Sequence, residues 1–352
     1  MRVGIIGFAR SGKTTVFNAL TGAEADVGAF GSRDANIAVL KVPDERVDRL
    51  AEIFEVGKRI YAEFQFVDIA PNEAGGEQKV IDEAALALLK NVDALVHVVR
   101  AFENENVAHP LGGVEPARDC GRLEEELQLG DLLILENRLE KLKKEGRKDR
   151  EVDLLNRCRE HIESGAPLRT MDLSEQEEKE LSGFAFLSRK PLMLLGNYGE
   201  EAIGQDDPSG LETLASGQGL TLVDMCGEME LEVAQLGEDE QAAFREELGL
   251  GEGSRTRFLE AAREMLGLIT FLTHNKNEVR AWAIPQGATA VEAAGSIHTD
   301  IQRGFIRAEV VNYADFIAAG SVAKAREQGH FLLEGKEYVV RDGDVIQFRF
   351  NV

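Results

Sequence analysis

The stretch G-F-A-R-S-G-K-T-T at residues 7–15 follows the pattern G-x-x-x-x-G-K-T. An apolar run rich in β-branched residues precedes it at 2–7 and predicts a buried strand. The run K-T-T-V-F-N-A-L at 13–20 predicts a helix. A glycine-bounded loop between a strand and a helix can surround an anion with its N–H groups, and the helix N-terminus adds partial positive charge. The sequence therefore predicts that this loop holds the phosphates of a nucleotide.

Two side chains of the loop have predictable tasks. Lys13 is expected to reach the β- and γ-phosphates, and the hydroxyl of Thr14 is expected to ligate Mg²⁺. The alternative is a chance match in an ordinary strand–turn–helix unit. The other loop residues expected to contact the nucleotide are Gly7, Ala9, Arg10, Ser11, Gly12 and Thr15.

The composition favours a cytoplasmic protein. With 352 residues, the chain is expected to form two or three domains. No run of about 18 apolar residues is found, so no membrane span is expected. The N-terminus starts with a predicted strand rather than a basic and then apolar leader, so no signal peptide is expected. Three scattered cysteines (Cys120, Cys158 and Cys226) indicate a reducing compartment rather than a disulfide framework or a metal site.

The charge limits the choice of partners. The formal net charge is −23, and a uniform surface of that sign repels nucleic acid, which argues against sequence-specific DNA binding. Contact with RNA then requires a local basic patch or a protein partner. Near the C-terminus, a basic strip is one interpretation of five arginines, and pairing with the many carboxylates is the other. These arginines are Arg280, Arg303, Arg307, Arg341 and Arg349.

The first part of the chain alternates predicted strands and helices. Strands are expected at 36–42, 62–69 and 94–99, and a helix is expected at 44–54, where apolar residues recur at helical spacing. The order predicts an α/β fold with a mostly parallel sheet and helices on both faces.

A charged helical segment follows at 119–188. Leucines at 132, 135, 139 and 142 step by three and four, which is the spacing of a coiled-coil seam. A second apolar stripe runs from Val152 through Leu155 and Cys158 to Ile162. The pattern predicts an antiparallel helical hairpin, which is either a contact surface or a solvated bundle without a partner.

The α/β pattern resumes with strands expected at 191–197 and 221–225, followed by two helices within 236–266. From residue 268 the pattern is β-rich, with strands expected at 279–284, 338–340 and 345–350 and one helix near 290–298. The predicted domains are therefore a nucleotide domain at 1–118 and 189–266, a helical insertion at 119–188, and a C-terminal domain at 267–352.

Several stretches agree with one family. The chain resembles the YchF-type, Obg-like P-loop NTPases of the translation-factor class over nearly its whole length. The stretches that carry the resemblance are 7–15, V-P-D-E-R-V-D-R-L at 42–50, F-V-D-I-A at 66–70, V-D-A-L-V-H-V-V-R-A-F-E-N at 92–104, E-V-R-A-W-A-I-P-Q-G-A-T-A at 278–290 and I-H-T-D-I-Q-R-G-F-I-R-A-E-V at 297–310.

The resemblance implies a fold and a function. It implies a P-loop NTPase domain, a helical insertion and a C-terminal TGS domain, which is a ubiquitin-like β-grasp. It also implies slow, Mg²⁺-dependent hydrolysis of ATP, or of GTP. The expected partners are the ribosome or translation-related RNA or protein, reached through the TGS domain and the helical arm.

The choice of base depends on N-Y-G-E at 197–200. GTP-specific relatives carry N-K-x-D there, and the Asp carboxylate accepts two hydrogen bonds from guanine. Glu200 is one methylene longer, which misplaces that contact, so ATP is expected to be preferred over GTP. Asn197 is expected to contact the base and Tyr198 to lie against the ring. The alternative is an ordinary turn at a strand end. Cys226, after the next predicted strand, is also placed at the nucleotide.

The metal ligands implied by the resemblance are Thr14, Ser32 and Asp68. Asp68 ends the third predicted strand, where the family has D-x-x-G. Here Pro71 replaces that Gly, and proline has no N–H to offer the γ-phosphate. This departure puts switching and turnover in doubt.

Two residues are candidates for catalysis. His109 matches a loop histidine proposed in the family to orient the attacking water; the alternative is an exposed loop histidine. Arg10 stands where relatives carry an Asn that helps to hold K⁺ in potassium-activated NTPases. Its guanidinium is expected either to neutralise charge between the β- and γ-phosphates or to point to solvent or an acidic residue.

Two functions remain open from the sequence. One is a slow Mg²⁺-dependent ATPase coupled to ribosome binding. The other is a hydrolysis-impaired, nucleotide-binding regulatory scaffold that acts through its TGS domain and helical arm.

Overall fold

The computed structural model describes residues 1–22, 36–69, 81, 83–202, 204–237, 240–241, 243–244 and 253–351. Ser32 and Pro71 lie outside the described residues. The chain forms two compact units: a first unit of Met1–Val39 and Gln65–Ala261, and a second unit of Leu40–Phe64 and Ala262–Val352.

The regular elements follow one another along the chain. In chain order they are β1 (Arg2–Ile6), α1 (Lys13–Thr21), β2 (Asn36–Val42), α2 (Glu45–Ile53), β3 (Lys58–Ile60), β4 (Ala62–Asp68), α3 (Glu83–Leu89), β5 (Ala94–Ala101), α4 (Pro116–Lys144), α5 (Arg150–Glu163), α6 (Glu175–Leu181), β6 (Leu192–Tyr198), α7 (Leu211–Gln218), β7 (Thr221–Met225), α8 (Gly227–Ala234), α9 (Ser254–Met265), β8 (Leu268–His274), β9 (Glu278–Pro285), α10 (Ala290–Ile297), α11 (Thr299–Arg303), β10 (Phe305–Asn312), α12 (Tyr313–Ala319), α13 (Val322–Glu327), β11 (Leu332–Glu334) and β12 (Asp344–Phe350).

The first sheet has the strand order β2-β4-β1-β5-β6-β7. β1 runs parallel to both β4 and β5, and β5–β6 and β6–β7 are also parallel pairs. β6 is buried along its whole length, as expected for a parallel strand covered on both faces. The predicted α/β fold with a mostly parallel sheet is confirmed, and the carboxyl ends of its strands carry the site described below.

The helical arm comprises α4, α5 and the chain up to residue 188. Five residues connect the two helices, and Asp149 caps α5 by accepting a hydrogen bond from the Val152 N–H. The predicted leucine and Cys158 stripes meet in one apolar cluster, in which Leu135, Leu142, Leu155 and Cys158 are fully buried. The predicted helical hairpin is confirmed.

A buried carboxylate holds the base of the arm. Asp131, in the middle of α4, accepts hydrogen bonds from the N–H groups of Leu187 and Ser188 and from the Ser188 hydroxyl, each at 2.7 Å. Burial raises the pKa of Asp131 to about 6, and the three donors oppose that rise. α4 is thereby tied to the segment that leads into β6.

The second unit is built on a mixed sheet with the order β11-β10-β12-β8-β9-β3. β12 and β8 are parallel, as are β3 and β9, whereas β8–β9, β10–β11 and β10–β12 are antiparallel. The predicted β-rich character from residue 268 onward is confirmed. Residues 40–64, assigned to the nucleotide domain from sequence, group with this unit because β3 pairs with β9 and α2 packs in its core.

Several strands of the second unit differ from the predictions, and β3, β8 and β11 were not expected. The strand expected at 338–340 is wrong: Val339 makes only an isolated bridge to Thr289, while the Tyr338 hydroxyl donates to Asp344 across the turn. β10 was not predicted, although I-R-A-E-V at 306–310 alternates apolar and polar residues. Glu309 is nevertheless buried, and it forms ion pairs with Arg326 and Arg349.

None of the helices within the described ranges combines the length and apolar character needed to cross a membrane.

Candidate nucleotide site

The backbone of the P-loop, residues 7–14, requires glycine at two positions. Gly7 has φ +154°, and a Cβ there would lie 2.5 Å from the carbonyl oxygen of Val98. Gly12 has φ +85°, and a Cβ there would lie 2.2 Å from the side-chain nitrogen of Asn197. Because neighbouring groups approach both glycines so closely, the motif glycines are dictated by packing as well as by conformation.

Lys13 spans the loop from within. Its ammonium donates hydrogen bonds to the carbonyl oxygens of Gly7 and Phe8, each at 2.8 Å. The side chain is buried, and burial lowers the pKa of Lys13 to about 8, with Asp68 acting in the opposite direction. A phosphate beside this ammonium would supply the negative charge that the buried cation lacks.

Arg10 takes the left-handed conformation, with φ +63°. For a residue with a Cβ, such a conformation costs on the order of 1–3 kcal/mol and persists only where neighbouring contacts hold it. The carbonyl of Arg10 accepts a hydrogen bond from Arg100 at 3.4 Å, and its own guanidinium donates to the carbonyl of Ala108 at 3.2 Å. The predicted contact of Arg10 with a phosphate remains a prediction.

The remaining loop residues lie where the pattern predicts. Ala9 is half-buried at the tip of the loop, and Thr15 lies in the first turn of α1. Ser11 is 2% exposed, and within the described part of the chain its hydroxyl has no hydrogen-bond partner. A buried hydroxyl without a partner is uncommon, so Ser11 is suited to receive one from a ligand.

Two predicted metal ligands are brought together at the edge of the P-loop. The Thr14 hydroxyl donates to one carboxylate oxygen of Asp68 at 3.1 Å, and the Asn36 amide donates to the same oxygen at 3.3 Å. The other Asp68 oxygen is buried and has no partner among the described residues. A hydroxyl and a carboxylate are hard oxygen ligands of the kind that Mg²⁺ prefers, so the donor set fits this ion.

Asn197 connects the P-loop to α8. Its amide nitrogen donates to the Ser11 carbonyl and its amide oxygen accepts from the Gly227 N–H, both at 3.0 Å. A Cβ at Gly227 would lie 2.9 Å from that oxygen. Both polar atoms of the amide are therefore used within the protein. Sequence reasoning missed Gly227, whose local signal is a glycine two residues after the end of a strand.

Asn197 and Tyr198, both predicted to contact the base, lie on opposite faces of β6. Because side chains alternate along a strand, Tyr198 points away from Asn197, into the cluster that includes Leu211. Its hydroxyl pairs with Ser209 at 2.8 Å, and burial raises the pKa of Tyr198 to about 12. The predicted contact of Tyr198 with the base ring remains a prediction.

Glu200 and Cys226 follow the carboxyl ends of β6 and β7. Glu200 is exposed and begins a short 3-10 turn. Cys226 occupies the N-cap position of α8, beside Gly227, and burial raises the pKa of its thiol. Their predicted contacts with the base remain predictions.

His109 is buried and fully hydrogen-bonded. Its Nδ1 accepts the Leu111 N–H at 3.1 Å, so Nε2 carries the ring proton in the neutral form and donates to Asp119 at 2.9 Å. Arg118 binds the other Asp119 oxygen at 2.8 Å. Burial lowers the pKa of His109, and Asp119 opposes that shift. The alternative of an exposed loop histidine is wrong, since its side chain is 3% exposed.

This arrangement has a chemical consequence. With both ring nitrogens occupied, His109 can orient a water only after the hydrogen bond to Asp119 or to Leu111 breaks. Asp119 lies ten residues further along the chain, at the start of α4, and no sequence motif connects it to the histidine.

Comparison with known proteins places this geometry in a family. The protein of Bacillus subtilis (strain 168) named ribosome-binding ATPase YchF is 39% identical over 366 residues, and the match covers 100% of both chains. The chain belongs to the YchF family. The YchF protein of Pasteurella multocida (strain Pm70), with the same full name, is 39% identical over 361 residues, covering 100% of this chain and 99% of that protein.

Family models and solved structures agree with YchF membership. The model described as 50S ribosome-binding GTPase matches residues 2–138, and the model YchF-GTPase_C, described as a protein of unknown function (DUF933), matches residues 268–351. The structure of the Schizosaccharomyces pombe YchF GTPase has a TM-score of 0.85 at 26% identity, covering 99% of this chain and 97% of that one. The predicted P-loop α/β fold with a β-rich C-terminal region is thereby confirmed.

Proposed function

We propose that this protein is a slow, Mg²⁺-dependent ATPase that acts in contact with the ribosome. The observation that carries the proposal is the P-loop, in which the buried ammonium of Lys13 donates to two carbonyl oxygens and the Thr14–Asp68 pair offers hard oxygen ligands. Relatives that match the whole chain are named ribosome-binding ATPase.

The metal fits the chemistry of this site. Thr14 and Asp68, joined by Ser32 in the proposed ligand set, would hold Mg²⁺ against the nucleotide. The ion would neutralise charge on the β- and γ-phosphates. Lys13 would hold the same phosphates from the opposite side, and the N–H groups of the loop would complete the contacts.

ATP is proposed to be preferred over GTP. Asn197 is held by hydrogen bonds to Ser11 and Gly227, and the groups that follow β6 and β7 are proposed to add selection between the bases. At that edge the chain has Glu200, whose longer side chain misplaces the paired acceptor that guanine requires.

Hydrolysis is proposed to use His109 and Arg10. His109 would orient water once it leaves Asp119, and Arg10 would occupy the place of the K⁺ ion used by potassium-activated relatives. Because both ring nitrogens of His109 are already hydrogen-bonded within the protein, we expect turnover to be slow.

The hydrogen bonds that hold His109 to Asp119 and Leu111 also favour a second candidate function. A protein that binds ATP but rarely releases His109 from Asp119 acts as a nucleotide-loaded regulatory scaffold. In both cases the proposed partner is the ribosome or a translation-related RNA or protein in the cytoplasm. The proposed contact surfaces are the C-terminal unit, interpreted as a TGS domain, and the helical arm.

The basic strip suggested from sequence receives partial support as a partner surface. Arg349 pairs with buried Glu309, whereas Arg280 stacks on Trp282 with 4.0 Å between the guanidinium carbon and the ring centroid. Within the described ranges, no ion pair involves Arg280, Arg303, Arg307 or Arg341.

One experiment separates the two candidates. Phosphate release from Mg–ATP and Mg–GTP is measured with purified protein, with and without ribosomes. Release from ATP that exceeds release from GTP and increases with ribosomes supports the ATPase. Tight ATP binding without release under either condition supports the scaffold, and absence of nucleotide binding contradicts both.

A further inference from the structure

Among the described residues, the largest fully buried side chain is that of an arginine, Arg100, near the carboxyl end of β5. Lys, Glu, Arg and Asp are almost never fully buried unless they are paired with an opposite charge. Arg100 is 2% exposed, and within the part of the chain that the structure describes, its hydrogen bonds all go to main-chain carbonyls. Such a residue needs an explanation beyond packing.

The three carbonyls belong to two different segments. Nε donates to Phe102 at 3.1 Å and Nη2 donates to Val107 at 2.9 Å, both in the loop that follows β5. Nη1 reaches the carbonyl of Arg10, in the P-loop, at 3.4 Å. The guanidinium also lies over the Phe102 ring, 4.6 Å from its centroid. Arg100 therefore joins the P-loop to the loop 102–109.

The charges around Arg100 act at longer range. Burial lowers the pKa of Arg100, as does Arg10, whereas Glu103 and Asp119 act in the opposite direction. The cation is therefore kept in place by the fork of hydrogen bonds rather than by one close carboxylate.

The contact with Arg10 falls at the strained position of the P-loop. In a trans peptide the carbonyl of Arg10 and the N–H of Ser11 point in opposite directions, so holding the carbonyl also orients the N–H. The Ser11 N–H contacts the Phe8 carbonyl at 3.3 Å, and the Lys13 ammonium donates to the same oxygen. The N–H is thus held on the side of the loop where the lysine ammonium lies.

We propose that Arg100 is a positioning residue for phosphate binding, which holds the left-handed turn at Arg10 and thereby orients the N–H groups of the P-loop. The inference rests on the proposed nucleotide function and adds a residue to it. A bound triphosphate adds negative charge near this buried cation, so the arginine and the nucleotide stabilise the same loop conformation.

The test compares variants that keep or remove the guanidinium hydrogen bonds of Arg100. Arg100→Met removes both the charge and the donors, and Arg100→Lys keeps the charge but not the planar fork. Arg122→Met is the matched control, since Arg122 is exposed on α4 and pairs only with Glu125 among the described residues. Affinity for Mg–ATP is measured by calorimetry, and folding is checked by urea unfolding followed by circular dichroism.

We expect Arg100→Met to weaken Mg–ATP binding at least tenfold and Arg100→Lys to weaken it by less, with the control unchanged. The deciding readout is a second substitution in the Arg100→Met background. Arg10→Gly and Arg10→Ala both remove the side chain, but only glycine takes the left-handed conformation without strain. The glycine double variant should bind Mg–ATP at least threefold more tightly than the alanine double variant.

Each other outcome is informative. If Arg100→Met binds Mg–ATP within twofold of wild type, or if the two double variants bind equally, the positioning role is wrong. If Arg100→Met does not fold, the same glycine–alanine comparison in the Arg100→Lys background decides. Absence of Mg–ATP binding by the wild type overturns the proposed function itself, which distinguishes that failure from failure of the present inference.

Discussion

The Thr14–Asp68 corner of the P-loop, proposed to hold Mg²⁺ and called the metal corner below, and the pocket of His109 are both buried and polar. They differ in how far the protein already satisfies their hydrogen-bonding groups. At the metal corner, one Asp68 oxygen and the Ser11 hydroxyl have no partners among the described residues. In the His109 pocket, both ring nitrogens and both Asp119 oxygens are hydrogen-bonded. The metal corner therefore offers polar atoms without a partner among the described residues, whereas the proposed catalytic role of His109 first requires breaking hydrogen bonds that the protein already makes.

The largest effect is expected at Lys13 in the P-loop. Lys13→Ala should weaken Mg–ATP binding by at least about 100-fold, because charge-assisted contacts to the β- and γ-phosphates are lost. Isothermal calorimetry measures the change, and Lys143→Ala, on the exposed end of α4, is the control. Binding within threefold of wild type would contradict the assignment of the P-loop as the phosphate site.

A second test concerns His97, which lies in β5 behind the P-loop. Its Nε2 is buried without a partner among the described residues, and burial lowers the pKa of His97 to about 3. The unfolded chain, with a pKa near 6.5, takes up the proton first, so this residue lowers stability as the pH falls below about 6.5. Between pH 7 and pH 5 the loss should be roughly 2 kcal/mol, at about 1.4 kcal/mol per pH unit.

His97→Gln should remove that part of the pH dependence. Urea unfolding of wild type and variant at pH 7 and pH 5 gives the two differences, and groups other than His97 cancel between them. Equal pH dependence in both proteins would mean that His97 is protonated in the folded state.

The metal corner was largely predictable from sequence, whereas the hydrogen bonds around His109 were not. The phosphate loop, Lys13 and Thr14 follow from a local pattern, and the family resemblance added Asp68. The two segments meet because parallel strands bring their carboxyl ends to one edge. Asp119 and Gly227 act through contacts between distant segments, which no local pattern records. Strand alternation alone predicts that Tyr198 lies on the face of β6 opposite Asn197.

A tenfold effect on phosphate release is expected at Arg10, where the P-loop contacts the segment next to His109. Arg10 belongs to the P-loop and donates to Ala108, next to His109. Arg10→Ala should slow phosphate release from ATP tenfold or more, about 1.4 kcal/mol, while changing ATP affinity little, because the proposed contact forms in the transition state. Release should be equal in matched KCl and NaCl buffers for the wild type.

Two results would count against this role of Arg10. One is unchanged turnover in the variant, and the other is strong K⁺ stimulation of the wild type. Arg122→Ala serves as the surface control.

The smallest effect is expected at the base. Glu200→Asp should raise GTP affinity a few-fold relative to ATP, because the shorter carboxylate restores the paired acceptor for guanine. Competition binding with both nucleotides in Mg²⁺ measures the ratio. A tenfold preference of the wild type for GTP would remove the basis of this prediction.

The contact between Asp131 and residues 187–188 bears on how such a chain can change during evolution. The arm leaves the nucleotide unit and returns to it at two points held within hydrogen-bond distance, and its interior is filled by its own apolar cluster. Because its base is held together in this way, the helical arm can gain or lose helical turns without moving either attachment point. Natural insertions and deletions can therefore reshape the arm while the phosphate loop keeps its geometry.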